Sequence, residues 1–308
     1  MSVPADGLVA ALDIGSNSVR LLVASENADG RLCFVHHQRI ATRLLQGFRD
    51  GRLDQESIWR TQHAVLSLAQ SARDMGVAQL YAFGTSAMRD GANADALIQA
   101  AARFGVDIEV ISGTMEAEIS YIGAAPTSHA CLIDIGGGST ECLLGKDGRL
   151  IVCASAQIGA VRLNEIAPPH ALTNPGELIQ IAAQILAPAI DICSSARPHV
   201  RCIGLGGTIT TAAAIRLQIP MRDPAHIHNQ PLDAPFVRAL LERLCAMPLD
   251  QRRQIIGLDP QRADILPAGL AILCAYFDQT GYSTLSVGTH DVLFGYLCAK
   301  CGKEFQQM

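Results

Sequence analysis

Two stretches of this 308-residue chain place acidic and hydroxyl side chains around a glycine-containing turn. Residues 10–23 read AALDIGSNSVRLLV, and residues 131–144, which begin 121 positions later, read CLIDIGGGSTECLL. Glycine turns let backbone N–H groups approach an anion closely. A carboxylate beside a phosphate repels it unless a cation lies between them, and Mg²⁺ commonly fills that role. The repeated stretch therefore predicts a clamp for phosphate groups with a metal ion.

The residue types at the two turns suggest individual roles. Asp13 and Asp134 end their strands at the turns, which makes them candidate metal ligands, although a turn cap is the structural alternative for either acid alone. The duplication favours the functional interpretation. The candidate phosphate donors are backbone and hydroxyl groups of the turns, namely Gly15, Ser16, Gly136, Gly137, Gly138, Ser139 and Thr140.

A third glycine turn, GLGGT at residues 204–208, follows a predicted strand and opens a predicted helix. Helix N-termini attract anions through their N–H groups and the helix dipole. This makes Gly206, Gly207 and Thr208 further candidate phosphate contacts. Close packing of a strand against a helix explains the small residues equally well.

The elements around these turns also repeat. Each copy reads as strand, tight turn, strand, Asp-Gly turn and strand, and longer segments with helical periodicity follow. This pattern predicts an α/β fold of two related domains, each with a mixed β-sheet flanked by helices. We expect domains at 1–125 and 126–308, with a last helix within 289–302 that packs back on the first domain.

The composition limits the possible functions. An apolar content of 49% with 17% charged residues is typical of a soluble globular protein. The net charge of −5 gives no general attraction for a polyanion, so no nucleic-acid partner is expected. Apolar runs are too short to span a membrane and the start has no basic leader region, so we expect a cytoplasmic protein without a membrane partner. Among ten cysteines, the single CxxC pair, Cys298 and Cys301, favours a structural role.

Taken together, the motifs resemble those of the exopolyphosphatase / guanosine pentaphosphate phosphohydrolase family, within the actin-like ATPase superfamily. DIGSNSVRLLV and DIGGGSTE are similar to its two phosphate loops, and GLGGT to a third glycine motif. FGTSAMRDGAN at 83–93, EVISGTMEAEISYIG at 109–123, IGAVRL at 158–163 and RADILPAGLAIL at 262–273 are also family-like. The resemblance implies two actin-like (ribonuclease H-like) domains with the active site in the interdomain cleft.

The resemblance also implies roles by position. Glu116 is similar to the family's catalytic glutamate, which activates the attacking water. For both Glu116 and Glu118, the structural alternative is a solvent-exposed position at the start of a helix. Asp134 and Glu141 would hold Mg²⁺ or another divalent cation. Asn17 and Arg89 would contact phosphate oxygens, and Arg162 is a weaker candidate.

Two positions depart from the family pattern. Leu45 stands where a turn glycine is usual, and His290 stands where an arginine is usual. Longer relatives also carry an additional helical C-terminal domain, which this sequence does not include. The short two-domain form is consistent with shorter polyphosphate chains or with a different preference.

We therefore expect a Mg²⁺-dependent exopolyphosphatase that releases orthophosphate from the end of inorganic polyphosphate. Guanosine pentaphosphate (pppGpp) is the alternative substrate within the same class. A kinase of the superfamily and a non-catalytic polyphosphate- or nucleotide-binding regulator are alternatives from other classes. The resemblance also makes a homodimer plausible.

Overall fold

The computed structural model describes residues 7–124, 129–147, 149–167, 174–193, 200–220 and 224–306. The chain divides into two compact units. The first contains residues up to 123 together with those from 292 onwards, and the second contains residues 124–291. The expected boundary at 125–126 falls outside the described residues.

The first unit is built on a five-stranded mixed sheet. Its strands are β1 (Leu8–Ile14), β2 (Ser18–Glu26), β3 (Leu32–Ala41), β4 (Val77–Gly84) and β5 (Ile108–Val110), in the order β3-β2-β1-β4-β5. The first three strands are antiparallel neighbours, whereas β1, β4 and β5 run parallel. The carboxyl ends of these three parallel strands therefore lie at one edge of the sheet, and the segments that follow them meet there.

The described part of the first 124 residues contains four helices. They are α1 (Gln55–Asp74), α2 (Ser86–Asp90), α3 (Asp95–Ala102) and α4 (Gly113–Ala124). Helix α1 begins where the Asp54 side chain accepts a hydrogen bond from the Ser57 N–H at 3.0 Å. An N-cap of this kind satisfies a donor that the helix itself cannot.

The second unit contains a six-stranded mixed sheet in the order β10-β11-β9-β6-β7-β8. Its strands are β6 (Ala130–Ile135), β7 (Thr140–Lys146), β8 (Arg149–Ala156), β9 (Arg201–Leu205), β10 (Pro231–Asp233) and β11 (Thr284–Val287). Strands β6, β9 and β11 are parallel, so their carboxyl ends again share one edge. The hairpin β6–β7–β8 repeats the hairpin β1–β2–β3.

Seven α-helices accompany this sheet in the described part of the second unit. They are α5 (Ala160–Ile166), α6 (Pro175–Cys193), α7 (Gly207–Leu217), α8 (Pro224–Ile227), α9 (Ala234–Cys245), α10 (Leu249–Arg252) and α11 (Leu266–Thr280). Almost every residue of α11 is buried, so this helix is the centre of the second hydrophobic core. Within the described residues, no helix combines the length and apolarity that a membrane span requires.

The last helix, α12 (Val292–Cys301), packs in the first unit. The Tyr296 ring lies 4.1 Å from the Phe83 ring, centroid to centroid, and its hydroxyl donates to Glu109 Oε2 at 2.8 Å. Gly295 lets the helix approach α4, since a Cβ there would lie 1.8 Å from the Ile119 carbonyl oxygen. The C-terminal helix thus completes the core of the first unit.

Candidate active site

The first glycine turn closes the β1–β2 hairpin and is held from outside by a later segment. The Gly15 N–H donates to the Ser18 carbonyl at 3.0 Å, so this donor is used within the turn. The Ser16 carbonyl accepts from the Leu45 N–H at 3.0 Å. Leu45, which stands where the family usually has a glycine, is buried in the core. Its N–H still holds the turn in place through this hydrogen bond.

Asn17 has the features expected of a ligand contact. Its carbonyl accepts hydrogen bonds from the N–H groups of Thr42 and Arg43 at 3.0 and 2.9 Å, which fixes the backbone. The residue is 7% exposed, and neither side-chain amide atom has a hydrogen-bond partner among the described residues. Buried polar side chains are ordinarily hydrogen-bonded. The Asn17 amide is therefore available to a ligand.

Asp13 lies at the end of β1 and forms an ion pair with Arg20. These residues are directly opposite each other on β1 and β2, and the Arg20 Nη2–Asp13 Oδ2 distance is 2.5 Å. Arg20 Nε also donates to the same oxygen at 2.8 Å. We expected Asp13 to be a metal ligand, but its charge is balanced by a neighbouring guanidinium. The guanidinium therefore occupies the Oδ2 atom of this carboxylate.

Glu116 and Arg89 form a second ion pair at the same edge of the sheet. Arg89 lies in α2 after β4, and Glu116 lies in the first turn of α4 after β5. Arg89 Nη1 donates to Glu116 Oε2 at 2.6 Å and to the Ile111 carbonyl at 3.0 Å. Arg89 Nη2 is buried and has no partner among the described residues.

The environment of Glu116 suits proton transfer. Burial raises the pKa of its carboxyl above the ordinary value, whereas the charge and hydrogen bond of Arg89 oppose that rise. The nearby Asp13 carboxylate raises this pKa further. Glu118, two residues later, is exposed to solvent. The fold therefore distinguishes two glutamates that the sequence pattern alone treats alike.

The turn of the second unit repeats the first. The Gly136 N–H donates to the Ser139 carbonyl at 3.0 Å, as the Gly15 N–H does to Ser18. No backbone hydrogen bond in the described chain uses the N–H of Gly137 or Gly138. These two donors fit the expected contact with phosphate, whereas the Gly136 N–H is used within the turn.

A clamp on this turn comes from the start of α5. The N–H groups of Val161 and Arg162 donate to the Gly137 carbonyl at 2.9 and 3.0 Å, and Arg162 Nε donates to the Gly138 carbonyl at 2.8 Å. A Cβ at Gly159 would lie 2.5 Å from the Gly137 carbonyl carbon, so only glycine allows this approach. Arg162, a weaker phosphate candidate, thus positions the turn.

The two hydroxyl residues after this turn are buried. Thr140 donates through Oγ1 to the Ile158 carbonyl at 2.6 Å, so its proton is used in a structural bond. Ser139 is 2% exposed. The Thr140 hydroxyl is therefore a weaker phosphate donor than the backbone of the turn, whereas Ser139 stays a candidate.

Asp134 and Glu141 stand directly opposite each other on the antiparallel strands β6 and β7. Directly opposite residues point to the same face of a sheet, so the two carboxylates are neighbours. Both are buried, and Glu141 Oε1 also accepts a hydrogen bond from the Ser155 hydroxyl at 2.8 Å. Adjacent carboxylates repel, and a hard divalent cation with oxygen ligands relieves that repulsion.

The donor set of the second unit therefore fits a divalent cation such as Mg²⁺. Such an ion commonly binds one or two carboxylates and keeps several waters. No group of three or more His, Cys, Asp or Glu side chains in the described part of the chain forms a complete protein cage. The pair Asp134 and Glu141 matches a partly hydrated ion.

The third glycine turn joins β9 to α7 beside Asp134. Gly206 has a φ of 94°, and a Cβ there would lie 2.9 Å from Asp134 Oδ1. A Cβ at Gly207 would lie only 1.6 Å from Arg262 Nη1, so the guanidinium rests on the backbone of the turn. Thr208 packs closely against Gly269 of α11 and is buried.

Sequence reasoning did not single out two cationic residues near these turns, Arg20 and Arg262. Both lie within stretches that carry the family resemblance, SVRLLV and RADILPAGL. Arg20 stands opposite Asp13 only in the register that the β1–β2 hairpin adopts, and the sequence alone does not fix that register. Nothing local indicates that Arg262 reaches a turn formed fifty-five positions earlier.

His290, the second departure from the family, follows β11 at the same edge of the second sheet. Its ring lies 5.8 Å from the His228 ring, and His228 Nδ1 is 3.0 Å from the Thr289 hydroxyl. Burial, with a smaller contribution from His228, lowers the pKa of His290 to about 4. The imidazole is therefore neutral at pH 7 and does not supply the charge of an arginine.

Both units thus combine a mixed sheet, a β-hairpin and a clamped glycine turn at the carboxyl edge of parallel strands. These features define a duplicated α/β protein of the actin-like kind. The chain belongs to the Ppx/GppA phosphatase family, whose family model matches residues 22–287. The resemblance inferred from the motifs is confirmed.

Individual relatives support this membership. Exopolyphosphatase 2 of Mycobacterium tuberculosis is 31% identical over 316 aligned residues, which cover 96% of this chain and 98% of the relative. A guanosine-5'-triphosphate,3'-diphosphate pyrophosphatase of Vibrio atlanticus is also 31% identical, but the match covers 88% of this chain and 54% of that protein. The crystal structure of the Aquifex aeolicus family member has a TM-score of 0.77 at 26% identity, and the match covers 96% of this chain and 97% of that one.

Proposed function

We propose that this chain is an exopolyphosphatase that hydrolyses the terminal phosphoanhydride of inorganic polyphosphate and releases orthophosphate. The observation that carries the proposal is the buried ion pair of Glu116 and Arg89 at the carboxyl edge of the first sheet. A carboxylate with a raised pKa, held in place beside a guanidinium, is suited to activate water next to a phosphate. The similarity to exopolyphosphatase 2 over nearly the full length of both chains supports the same substrate.

Glu116 acts as the general base in this proposal. Its carboxylate takes a proton from the water that attacks the terminal phosphorus, and its 2.6 Å bond to Arg89 fixes its orientation. Hydrolysis of a phosphoanhydride depends mainly on such positioning and on stabilisation of charge. Because water attacks the phosphorus directly, the reaction needs no covalent intermediate between phosphate and the enzyme.

The phosphate oxygens are bound by donors that the fold leaves available. In the first unit these are the Asn17 amide and Arg89 Nη2. In the second unit the N–H groups of Gly137 and Gly138 have the same character. Donors that are already oriented stabilise developing charge without reorganisation during the reaction.

The carboxylates of Asp134 and Glu141 would hold the divalent cation, with Ser155 orienting Glu141. When bound, such an ion neutralises charge on the phosphoryl oxygens. We leave Asp13 out of this ligand set because its carboxylate is paired with Arg20. The homodimer and the cytoplasmic location expected from the sequence stay predictions, and light scattering after gel filtration measures the first.

One substrate comparison tests the proposed function. Purified protein with MgCl₂ is assayed for orthophosphate release from tripolyphosphate, long-chain polyphosphate, pppGpp and ATP without any acceptor. We expect kcat/KM to be higher for polyphosphate than for pppGpp or ATP. A preference for pppGpp would overturn the substrate assignment, and dependence on an acceptor would indicate a kinase. Tight polyphosphate binding without hydrolysis would indicate a regulator.

A further inference from the structure

Three side chains of the first unit share an uncommon feature. Asn17, Thr42 and Arg89 each hold a buried nitrogen or oxygen atom for which the described residues provide no hydrogen-bond partner. Leaving such an atom without a partner costs about 1–3 kcal/mol. Asn17 and Arg89 are the two first-unit side chains that the motif resemblance independently assigns to phosphate. Thr42 has no assigned role.

The structure places Thr42 directly beside the first glycine turn. Its N–H donates to the Asn17 carbonyl at 3.0 Å, so the two residues are joined through their backbones. Its own carbonyl accepts from Arg60 Nε at 3.2 Å. The residue is 1% exposed, and these two hydrogen bonds fix the backbone that carries its side chain.

Three other buried threonines of the described chain behave differently. Thr61, Thr140 and Thr280 each donate through Oγ1 to a backbone carbonyl, at distances of 2.7, 2.6 and 2.5 Å. These hydroxyls are satisfied by the fold itself. The Thr42 hydroxyl lacks such an acceptor, although valine would fill the same volume without an unsatisfied group. The fold therefore bears a cost at Thr42 that packing does not explain.

We propose that Thr42 is a phosphate-binding residue whose hydroxyl donates to an oxygen of the bound phosphoryl group, next to Asn17. The inference rests on the proposed function, since it deepens the same site. A phosphate oxygen is a strong acceptor, and a hydrogen bond to a charged group is stronger than one between neutral groups. The bound substrate then supplies the partner that the fold omits.

Thr42→Val tests this proposal because it keeps the shape and removes the hydroxyl. We expect KM for tripolyphosphate to rise about tenfold, as for loss of one hydrogen bond to a charged group. The melting temperature without ligand stays equal or rises, since the substitution removes an unsatisfied buried hydroxyl. Thr42→Ser keeps a hydroxyl and should keep KM within about twofold of the wild type.

Thr61→Val is the matched control, because it removes a buried hydroxyl that is bonded to the Ser57 carbonyl. It should lower the melting temperature and leave KM unchanged. An unchanged KM in Thr42→Val would overturn the proposal. So would a fall in its melting temperature as large as that of the control, because the hydroxyl would then be structural.

A second readout separates this inference from the proposed function. The rise in melting temperature that tripolyphosphate induces reports binding without hydrolysis. If the wild type binds tripolyphosphate but releases no orthophosphate, and Thr42→Val binds it more weakly, Thr42 is correct and the enzymatic proposal is wrong. If the wild type hydrolyses it and Thr42→Val is unchanged in both readouts, only the assignment of Thr42 is wrong.

Discussion

In both units, three neighbouring strands each place one residue in a row across the sheet, and the two rows have opposite net charge. In the first unit, Asp13 on β1 faces Arg20 on β2, which in turn faces Arg39 on β3. In the second unit, the matching row across β6, β7 and β8 is Asp134, Glu141 and Ser155. The first row therefore contains one acid and two arginines, and the second contains two acids and a hydroxyl.

This difference separates what the duplication kept from what it changed. The backbone features are retained, since both turns close with the same hydrogen bond and both are clamped by a later segment. The side chains that determine charge differ. The two acids of the second row fit the cation that we propose there, whereas the acid of the first row is paired with an arginine.

Replacing the proposed base should have the largest effect. Glu116→Gln keeps the size and hydrogen-bonding capacity of the side chain but removes the group that accepts a proton. We expect kcat for orthophosphate release to fall about 10²–10⁴-fold, the usual contribution of a general base. The fall is measured with tripolyphosphate and MgCl₂, with circular dichroism to verify the fold.

Glu118→Gln is the control, because this exposed residue lies on the same helix and has the same charge.

The pH dependence gives a second test of the same residue. Wild-type kcat/KM should fall on the acidic side as Glu116 becomes protonated. Because burial raises the pKa of Glu116, that fall should begin above the ordinary glutamate range. Normal activity in Glu116→Gln would show that Glu116 is not the general base, and the role proposed for the first unit would then be wrong.

The acidic row of the second unit gives the next largest effect. Glu141→Gln should lower kcat about 100-fold in MgCl₂, because one of two adjacent carboxylates is lost. Without metal, the variant should melt at the same or a higher temperature, since a like charge on the neighbouring strand is removed. Titration of MgCl₂ against melting temperature measures the cation directly.

Glu165→Gln removes an equal charge from an exposed position of α5 and serves as the control. It should keep the wild-type response to MgCl₂. If Glu141→Gln also keeps that response, the two carboxylates are not cation ligands and the second row has another role.

The basic row of the first unit should give the smallest effect, seen mainly in stability. Arg20→Gln leaves the Asp13 carboxylate, which is 5% exposed, without its guanidinium. We expect a loss on the order of 2 kcal/mol in the free energy of unfolding. Urea denaturation measures it, and adding Asp13→Asn should recover most of the loss.

A double variant that is as unstable as the sum of the single variants would show that the two residues are not coupled. The ion pair would then not explain why the first row differs from the second.

Much of the local structure could be predicted from the sequence. The repeated order of strand, turn and strand was predicted, and the structure has it as β1–β2–β3 and β6–β7–β8. The two glycine turns were also predicted from their composition. These features depend on neighbours within a few positions, and alternation, capping and turn chemistry record such neighbours directly.

The chemistry of the site depended on more distant neighbours. Only the strand register pairs Asp13 with Arg20 and Asp134 with Glu141, because a shift of one residue would point these side chains to the other face. The environment of Thr42 likewise depends on a turn twenty-five residues earlier.

The sequence by itself determined the duplicated strand–turn–strand design, the family and the identity of the glycine turns. The tertiary structure decided which acids stand beside a guanidinium, and which of Glu116 and Glu118 is buried. The physical reason is that charge balance and burial depend on groups brought together from distant parts of the chain. Residue types and their spacing do not record those contacts.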